Sequence, residues 1–276
     1  MTAEIPRHTR DETTFSRRWC RRNPFIPTGD CVNDDEIDIE LRSLAEVATR
    51  AIILASLIRR LSIESLADKA HDETLAGEVF DLRAWLQSQN LWDHLGDTEA
   101  AFLEQPLGSL SDDQMATVAW QAEGLASLGW ALGLAELAPN GDLRHVETVL
   151  ARVPSPWDNT APWIDTVLLR PEPDIARERD RAELIEWRIA IEAPLRAATG
   201  RERSEYHQAI ADVAREANIA GLAETSDGDF TLAGTPPATL SDDDLERIAA
   251  LAEERLRALN WLCGFGEAWD TVPLDI

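Results

Sequence analysis

The chain has 276 residues, with 51 acidic against 26 basic side chains and a formal net charge of −25. That length fits one large or two small domains, and a hydrophobic content of 44% is enough for a packed core. The acid excess argues against nucleic acid as a partner, because phosphate binding rests on clustered Lys and Arg. No run approaches the ~18 apolar residues of a membrane helix.

Lys69 is the only lysine, so nearly all positive charge is guanidinium. Lysine poverty fits a GC-rich genome, and the acid excess fits halophilic adaptation. Stability measured across salt separates the two, since a halophile's protein weakens as screening is removed. Cys20, Cys31 and Cys263 form no CxxC pair, and an odd, sparse count points to a reducing cytoplasm instead of a disulfide framework. Arg17-Arg18 is followed by Asn23-Pro24-Phe25-Ile26-Pro27 and no apolar stretch, which argues against twin-arginine export.

Residues 1–33 read as a basic arm, with Pro6, Pro24 and Pro27, arginines such as Arg7, Arg10, Arg17 and Arg18, and no helical period. The arm is expected to lie on the acidic body or stay mobile, with docking to a partner as the sharper reading. Residues 34–276 read as one helical domain. Asp34-Asp35-Glu36 is a helix start, and Leu41, Leu44, Ala48, Ala51, Ala55 and Ile58 keep helical spacing to Arg60. A second helix is predicted over 72–91, with Leu75, Val79, Leu82 and Leu86 inward and Trp85 at its edge. A short one follows from Asp97 to Glu104, stopped by Pro106.

Ser111-Asp112-Asp113-Gln114 is a capping box. It opens the longest predicted helix, to Leu137, about 40 Å at ~1.5 Å per residue. Gly124, Gly129 and Gly133 sit inside it. Each costs about 1 kcal/mol against Ala, so a neighbour is expected to approach closely there, the last helix being the candidate. Pro139-Asn140-Gly141 ends the helix, and Asp142 caps a short one to Arg152. From Pro154 to Pro173, repeated prolines with Trp157 and Trp163 read as an ordered irregular crossover. Those two tryptophans are expected to face a groove. Asp174 opens a helix through Ala193, broken at Pro194, and another runs over 202–222. Asp227-Gly228 is a turn signal and Phe230-Thr231-Leu232 a brief strand. The fold class is all-α, an irregular multi-helix single domain with a minor β hairpin before the last helix.

That last helix opens at Ser241, whose hydroxyl caps a first turn of three acids, Asp242, Asp243 and Asp244. Leu245, Ile248, Ala252, Leu256, Leu259 and Leu262 form one apolar stripe. Gly264 and Gly266 stop it, and Trp269 and Pro273 read as a tail that folds back and pins itself. The closing run ALNWLCGFGEAWDTVPLDI, with Phe230 to Gly234 and the capping serine before it, resembles the C-terminal signature of a largely bacterial domain-of-unknown-function family, catalogued as four-two-seven-two. Two earlier blocks are similar to the same family, Trp120-Gln121-Ala122-Glu123 leading to Trp130-Ala131-Leu132-Gly133, and Leu169-Arg170-Pro171 leading to Trp187-Arg188. The chain departs from the pattern at Asp275-Ile276, where the family ends Asp-Thr, and at Ala190 and Ile191, where it often has His-Trp. The resemblance spans about residues 36–276. It implies a mostly helical fold and no particular activity.

No metal site or cofactor is expected. His71, His94, His145 and His207 are isolated, with neither an H-E-x-x-H nor a CxxC spacing. Ser127, between Gly124 and Gly129, misses the nucleophile-elbow spacing and reads as a small packing residue. Cys263 stands at a helix C-terminus, the wrong end of the dipole for a reactive thiolate, and reads as buried and inert. Gly264-Phe265-Gly266 lacks the third glycine and the strand of a dinucleotide loop. The polar residues embedded in apolar helices are the remaining candidates: Arg50, Glu123, Arg170, Arg188, Asn260 and Asp270. Buried charge must be paired or neutralised, so these form either a structural lattice or a polar pocket between helices. Two functions follow. The first is a cytoplasmic, non-catalytic acidic module that binds a basic protein partner, with homodimerisation compatible. The second is an enzyme of unassigned reaction, with Glu123 as general acid or base and Arg188 or Arg170 as an anion clamp.

Overall fold

A computed structural model describes residues 39–66, 73–138, 146–232 and 234–274. The basic arm, Asp34-Asp35-Glu36, His71, Pro139-Asn140-Gly141, Asp142, His145, Cys20, Cys31 and the terminal Asp275-Ile276 lie outside the described residues. Among the described residues the fold is all-α apart from one small hairpin.

Helix α1 spans Leu44–Leu66. Its start is a reciprocal cap. The Ser43 N–H donates to Glu46 Oε2 at 3.0 Å, and the Glu46 N–H donates to Ser43 Oγ at 3.3 Å. Helix α2, Glu73–Ser88, turns inward Val79, Leu82 and Leu86 as expected. Trp85 departs from expectation. It is buried, not at an edge, because the indole N–H finds an acceptor 2.8 Å away in the Asp158 carbonyl of the crossover. Helix α3 covers Asp97–Glu104, as predicted.

Helix α4, Asp112–Ala131, opens on the predicted capping box, with Ser111 and Gln114 exchanging bonds of 3.0 and 3.3 Å. It closes well before Leu137. Gly133 has φ +68°, its N–H donates to Trp130 O and the Leu134 N–H to Gly129 O at 2.8 Å, a Schellman closure. The third glycine is therefore the stop, not an interior notch.

Short helices α5 (Val146–Leu150) and α6 (Thr160–Ile164) follow, the second inside the proline-rich crossover. Helix α7 spans Glu172–Ala190 and α8 spans Glu192–Ala197. The break falls at Ile191, ahead of Pro194. A proline fits the first turn of α8, where its missing N–H is not needed. Helix α9 is Gly200–Ile219. Strands β1 (Thr225–Ser226) and β2 (Asp229–Phe230) pair antiparallel, Thr225 opposite Phe230 and Ser226 opposite Asp229. Asp227 and Gly228, at φ +54° and +81°, make the primed turn that Asp-Gly favours. Leu232 is not part of the strand and pairs only with Thr235. Helix α10 is Asp242–Leu262, capped by Ser241 Oγ, which accepts from the Asp244 N–H at 3.1 Å.

The long helices stack in order: α4 packs between α1 and α10, and α10 packs between α4 and α7. The principal core gathers Ile52 and Leu57 of α1, Leu125 and Leu128 of α4, and Leu256 and Leu259 of α10. A second core joins Leu184 and Ile185 of α7, Ala217 of α9, Phe230 of the hairpin, and Ile248 and Ala252 of α10. The two interior glycines of α4 admit different neighbours. A Cβ at Gly124 would lie 3.2 Å from the Trp269 ring of the tail, and one at Gly129 would lie 2.5 Å from Val149 of α5. The expected close packing is real, but its agents are the tail indole and α5, not α10.

Arginine forks tie helix ends together. Arg59 donates to the Leu150, Val153 and Pro154 carbonyls after α5, at 3.0, 2.9 and 2.6 Å. Arg177 and Arg181 reach the Ala220, Gly221 and Leu222 carbonyls after α9. Arg42 reaches Trp261 O, in the last turn of α10, at 2.9 Å and Gly266 O, beyond it, at 2.6 Å. Those carbonyls lie at or just beyond helix C-termini, the negative ends of the helix dipoles. A planar donor fork spreads its N–H groups over several carbonyls in a fixed, pre-organised geometry that the compact, flexibly held ammonium of a lysine lacks. Among the described residues no helix is long and apolar enough to cross a membrane.

Candidate functional site

The six embedded polar residues do not converge. Glu123 is 3% exposed and accepts from Arg255 Nε at 2.6 Å, while Arg255 Nη2 also donates to Ala138 O. Ser127 packs one turn on, its hydroxyl donating back to Glu123 O. Arg188, fully buried, grips Asp229 of the hairpin through Nε and Nη2 at 2.6 and 2.7 Å, and contacts Glu192 at 2.8 Å. Glu192 accepts from Arg196, which extends to Asp242 at the start of α10. Glu123 and Arg188 thus answer to different partners, and the predicted acid–clamp pair is not assembled. Arg170, half-buried, donates to Trp130 O at 2.8 Å, stacks over the Trp130 ring and meets Glu136, so it fastens the crossover to the end of α4.

Asn260 is a hinge pin. Its Oδ1 accepts from Arg179 Nε at 3.0 Å and its Nδ2 donates to Pro273 O at 2.9 Å, holding the tail back as the sequence suggested. Arg179 also pairs with Glu183 and Asp180 and lies above the Phe265 ring. Burial pushes the Glu183 carboxyl up to about 7 and the Asp180 carboxyl up to about 6, against the pull of Arg179. Burial likewise pushes the Cys263 thiol up to about 12, consistent with an inert thiol.

Arg50 and Asp270, in contrast, line one open cleft of about 490 Å³. Its floor is α1, through Thr49, Arg50 and Ile53. One wall is the turn before α3, with Asp93, His94 and Gly96; the other is Trp261 at the end of α10 and the tail, with Glu267, Trp269 and Asp270. Trp157 and Trp163 do not line it: Trp157 is 67% exposed at φ +77°, and Trp163 donates to Arg152 O.

The cleft is rigidly framed. Arg50 meets both oxygens of Glu99, the Nη1 bond being 2.9 Å, and its guanidinium lies 4.5 Å above Trp269. Glu99 also accepts from the Gly96 N–H at 2.9 Å, so one carboxylate starts α3 and anchors it to α1. Trp261 and Trp269 meet edge to face, 5.5 Å between centroids. A Cβ at Gly96 would come 2.6 Å from Asp270 Oδ2, so the exposed Asp270 side chain would have to move aside. Glu99, Arg255, Arg179 and the pairing of Trp261 with Trp269 were not singled out from sequence. Glu99 carried one usable signal, its place three residues after Gly96 in a first helical turn.

Residues 22–202 match the family described as Domain of unknown function (DUF4272). The chain belongs to that family. The matched stretch covers both central blocks and stops before the closing ALNWL run. No curated protein and no solved structure matches the chain.

Proposed function

We propose that the protein is a non-catalytic binding module of a reducing, cytoplasmic setting that docks a basic protein through its acidic surface. The observation that carries this reading is where the buried charge goes. Glu123, Glu99 and Glu192 are each consumed by an arginine inside the fold, which leaves none of them available as a general acid or base. The net charge of −25 is then borne largely outside, where it steers a cationic partner and raises its rate of encounter. Glu123 and Arg188 hold separate partners, which supports the binding reading over an enzyme built on that pair.

Pull-down from native lysate at low salt tests the reading. The expected result is a stoichiometric basic partner released as salt rises. A protein that is recovered alone, or only as its own dimer by light scattering, contradicts it.

A further inference from the structure

One junction in the fold gathers more acid than its cation can match. Asp180, Glu183 and Glu186 recur three residues apart on α7, so each lies beside the next along the helix. Arg179 serves the first two through one nitrogen: its Nη1 is 3.4 Å from Asp180 Oδ1 and 3.0 Å from Glu183 Oε2. The two acidic side chains are only 18% and 17% exposed. One guanidinium balances one carboxylate. Two ionised carboxylates beside it would leave a net negative charge largely out of water, and a proton on the pair removes that charge. Glu186 adds further negative charge from the same helix, and Cys263 at the end of α10, its thiol pushed up to about 12 by burial, stays neutral beside Asp180. Burial accordingly pushes Asp180 up to about 6 and Glu183 up to about 7.

The same arginine holds the tail. Its Nε donates to Asn260 Oδ1 at 3.0 Å, and Asn260 Nδ2 donates onward to Pro273 O at 2.9 Å. Its guanidinium also lies 5.2 Å from the centre of the Phe265 ring. Helix α7, the end of α10 and both ends of the tail therefore meet at one guanidinium. The tail brings Phe265 and Pro273 to it, neither of which titrates.

We propose that this junction is a proton-operated latch on the tail: while Asp180 and Glu183 keep a proton between them the tail stays docked, and when both are ionised Arg179 follows them toward water and releases the Asn260 pin. Opening returns the two carboxyls to water, where their ordinary values of 3.8 and 4.5 lie below those of the closed junction. The latch is therefore strongest below those ordinary values. It weakens as pH rises and has lost the proton's contribution once pH passes about 7. The release is local, one segment opening while the rest of the fold stays packed. Because the tail carries Trp269 and Asp270 into the cleft, the proton also sets how firmly that wall is held.

The test is fluorine NMR of the full chain labelled with fluorotryptophan, followed from about pH 5 to about pH 8. The Trp269 and Trp85 resonances are identified from their Phe variants. Trp269 reports the tail, and Trp85, buried and bonded to the Asp158 carbonyl, reports the core away from it. As pH rises, the Trp269 resonance is expected to shift toward its position in the urea-unfolded chain while Trp85 stays in place. Glu183→Gln should keep Trp269 at its low-pH position at about pH 8, and Asp180→Asn should do so in part. Glu205→Gln, which alters an exposed acid on α9, should follow the wild type. A Trp269 resonance that does not move, or one that moves together with Trp85, overturns the latch. So does a Glu183→Gln profile that matches the wild type. A Glu183→Gln chain whose tail is loose at every pH also overturns it, and makes Glu183 a plain anchor for Arg179.

Discussion

The two halves of α10 are held on different terms. Up to Ala252 the helix meets α7, α9 and the hairpin through apolar side chains such as Ile248 and Ala252, and its charges stay at the exposed N-terminus. Beyond Ala252 it buries Arg255 and Asn260 among leucines, with a carboxylate of α4 and an arginine of α7 as their partners. The apolar half requires only that something greasy cover it. The polar half requires one geometry, because each group is satisfied only at one rotation and one height. The contrast explains why the tail, and with it the cleft wall, is fixed to the polar half.

The sharpest way to break the comparison is Arg255→Ala, which strands Glu123 without its cation. We expect a loss of about 3–5 kcal/mol in denaturant unfolding. Joint replacement, Glu123→Leu with Arg255→Met, should instead be close to neutral, since apolar packing can replace a buried pair. Next in size is Gly129→Ala, where the new methyl meets Val149: about 1–3 kcal/mol is expected from the clash. Gly124→Ala should cost less, its nearest atom being 3.2 Å away.

Smaller still is the titration around Arg179. Glu183 and Asp180 have raised values in the folded chain, against ordinary 4.5 and 3.8, because burial disfavours their ionised forms. Their contribution to stability is therefore fully present below those ordinary values and is lost as pH rises through about 6 for Asp180 and about 7 for Glu183. Glu183→Gln should raise the melting temperature at pH 8 by about 2–4 °C and flatten its dependence between pH 4.5 and 7. A variant that melts lower at pH 8 would assign Glu183 to holding Arg179 instead. At the bottom of the scale, Arg201→Ala removes an exposed pair with Glu205 and should change unfolding by less than about 1 kcal/mol.

What could be read from the chain divides along the same line. Ser111, Ser241, the α3 boundaries and the Asp227-Gly228 turn were legible because each is decided by neighbours three or four residues away. The apolar stripe of α10 was legible for the same reason. Trp85 was misplaced because its partner, the Asp158 carbonyl, is 73 residues distant. Arg42 and Trp261, which frame the cleft, are 219 apart. Arg50 and Asp270 were marked as polar residues in apolar surroundings, but nothing local said that one is paired and the other free. Gly133 misled for a different reason: a glycine inside a helix and one closing it read alike until φ is known.

Buried charge in this fold is spent on architecture. The most direct test is denaturant unfolding of the Glu123→Leu, Arg255→Met double variant beside Arg255→Ala. We expect the double variant to be folded and about as stable as the wild type. A double variant that loses as much stability as Arg255→Ala alone would contradict this.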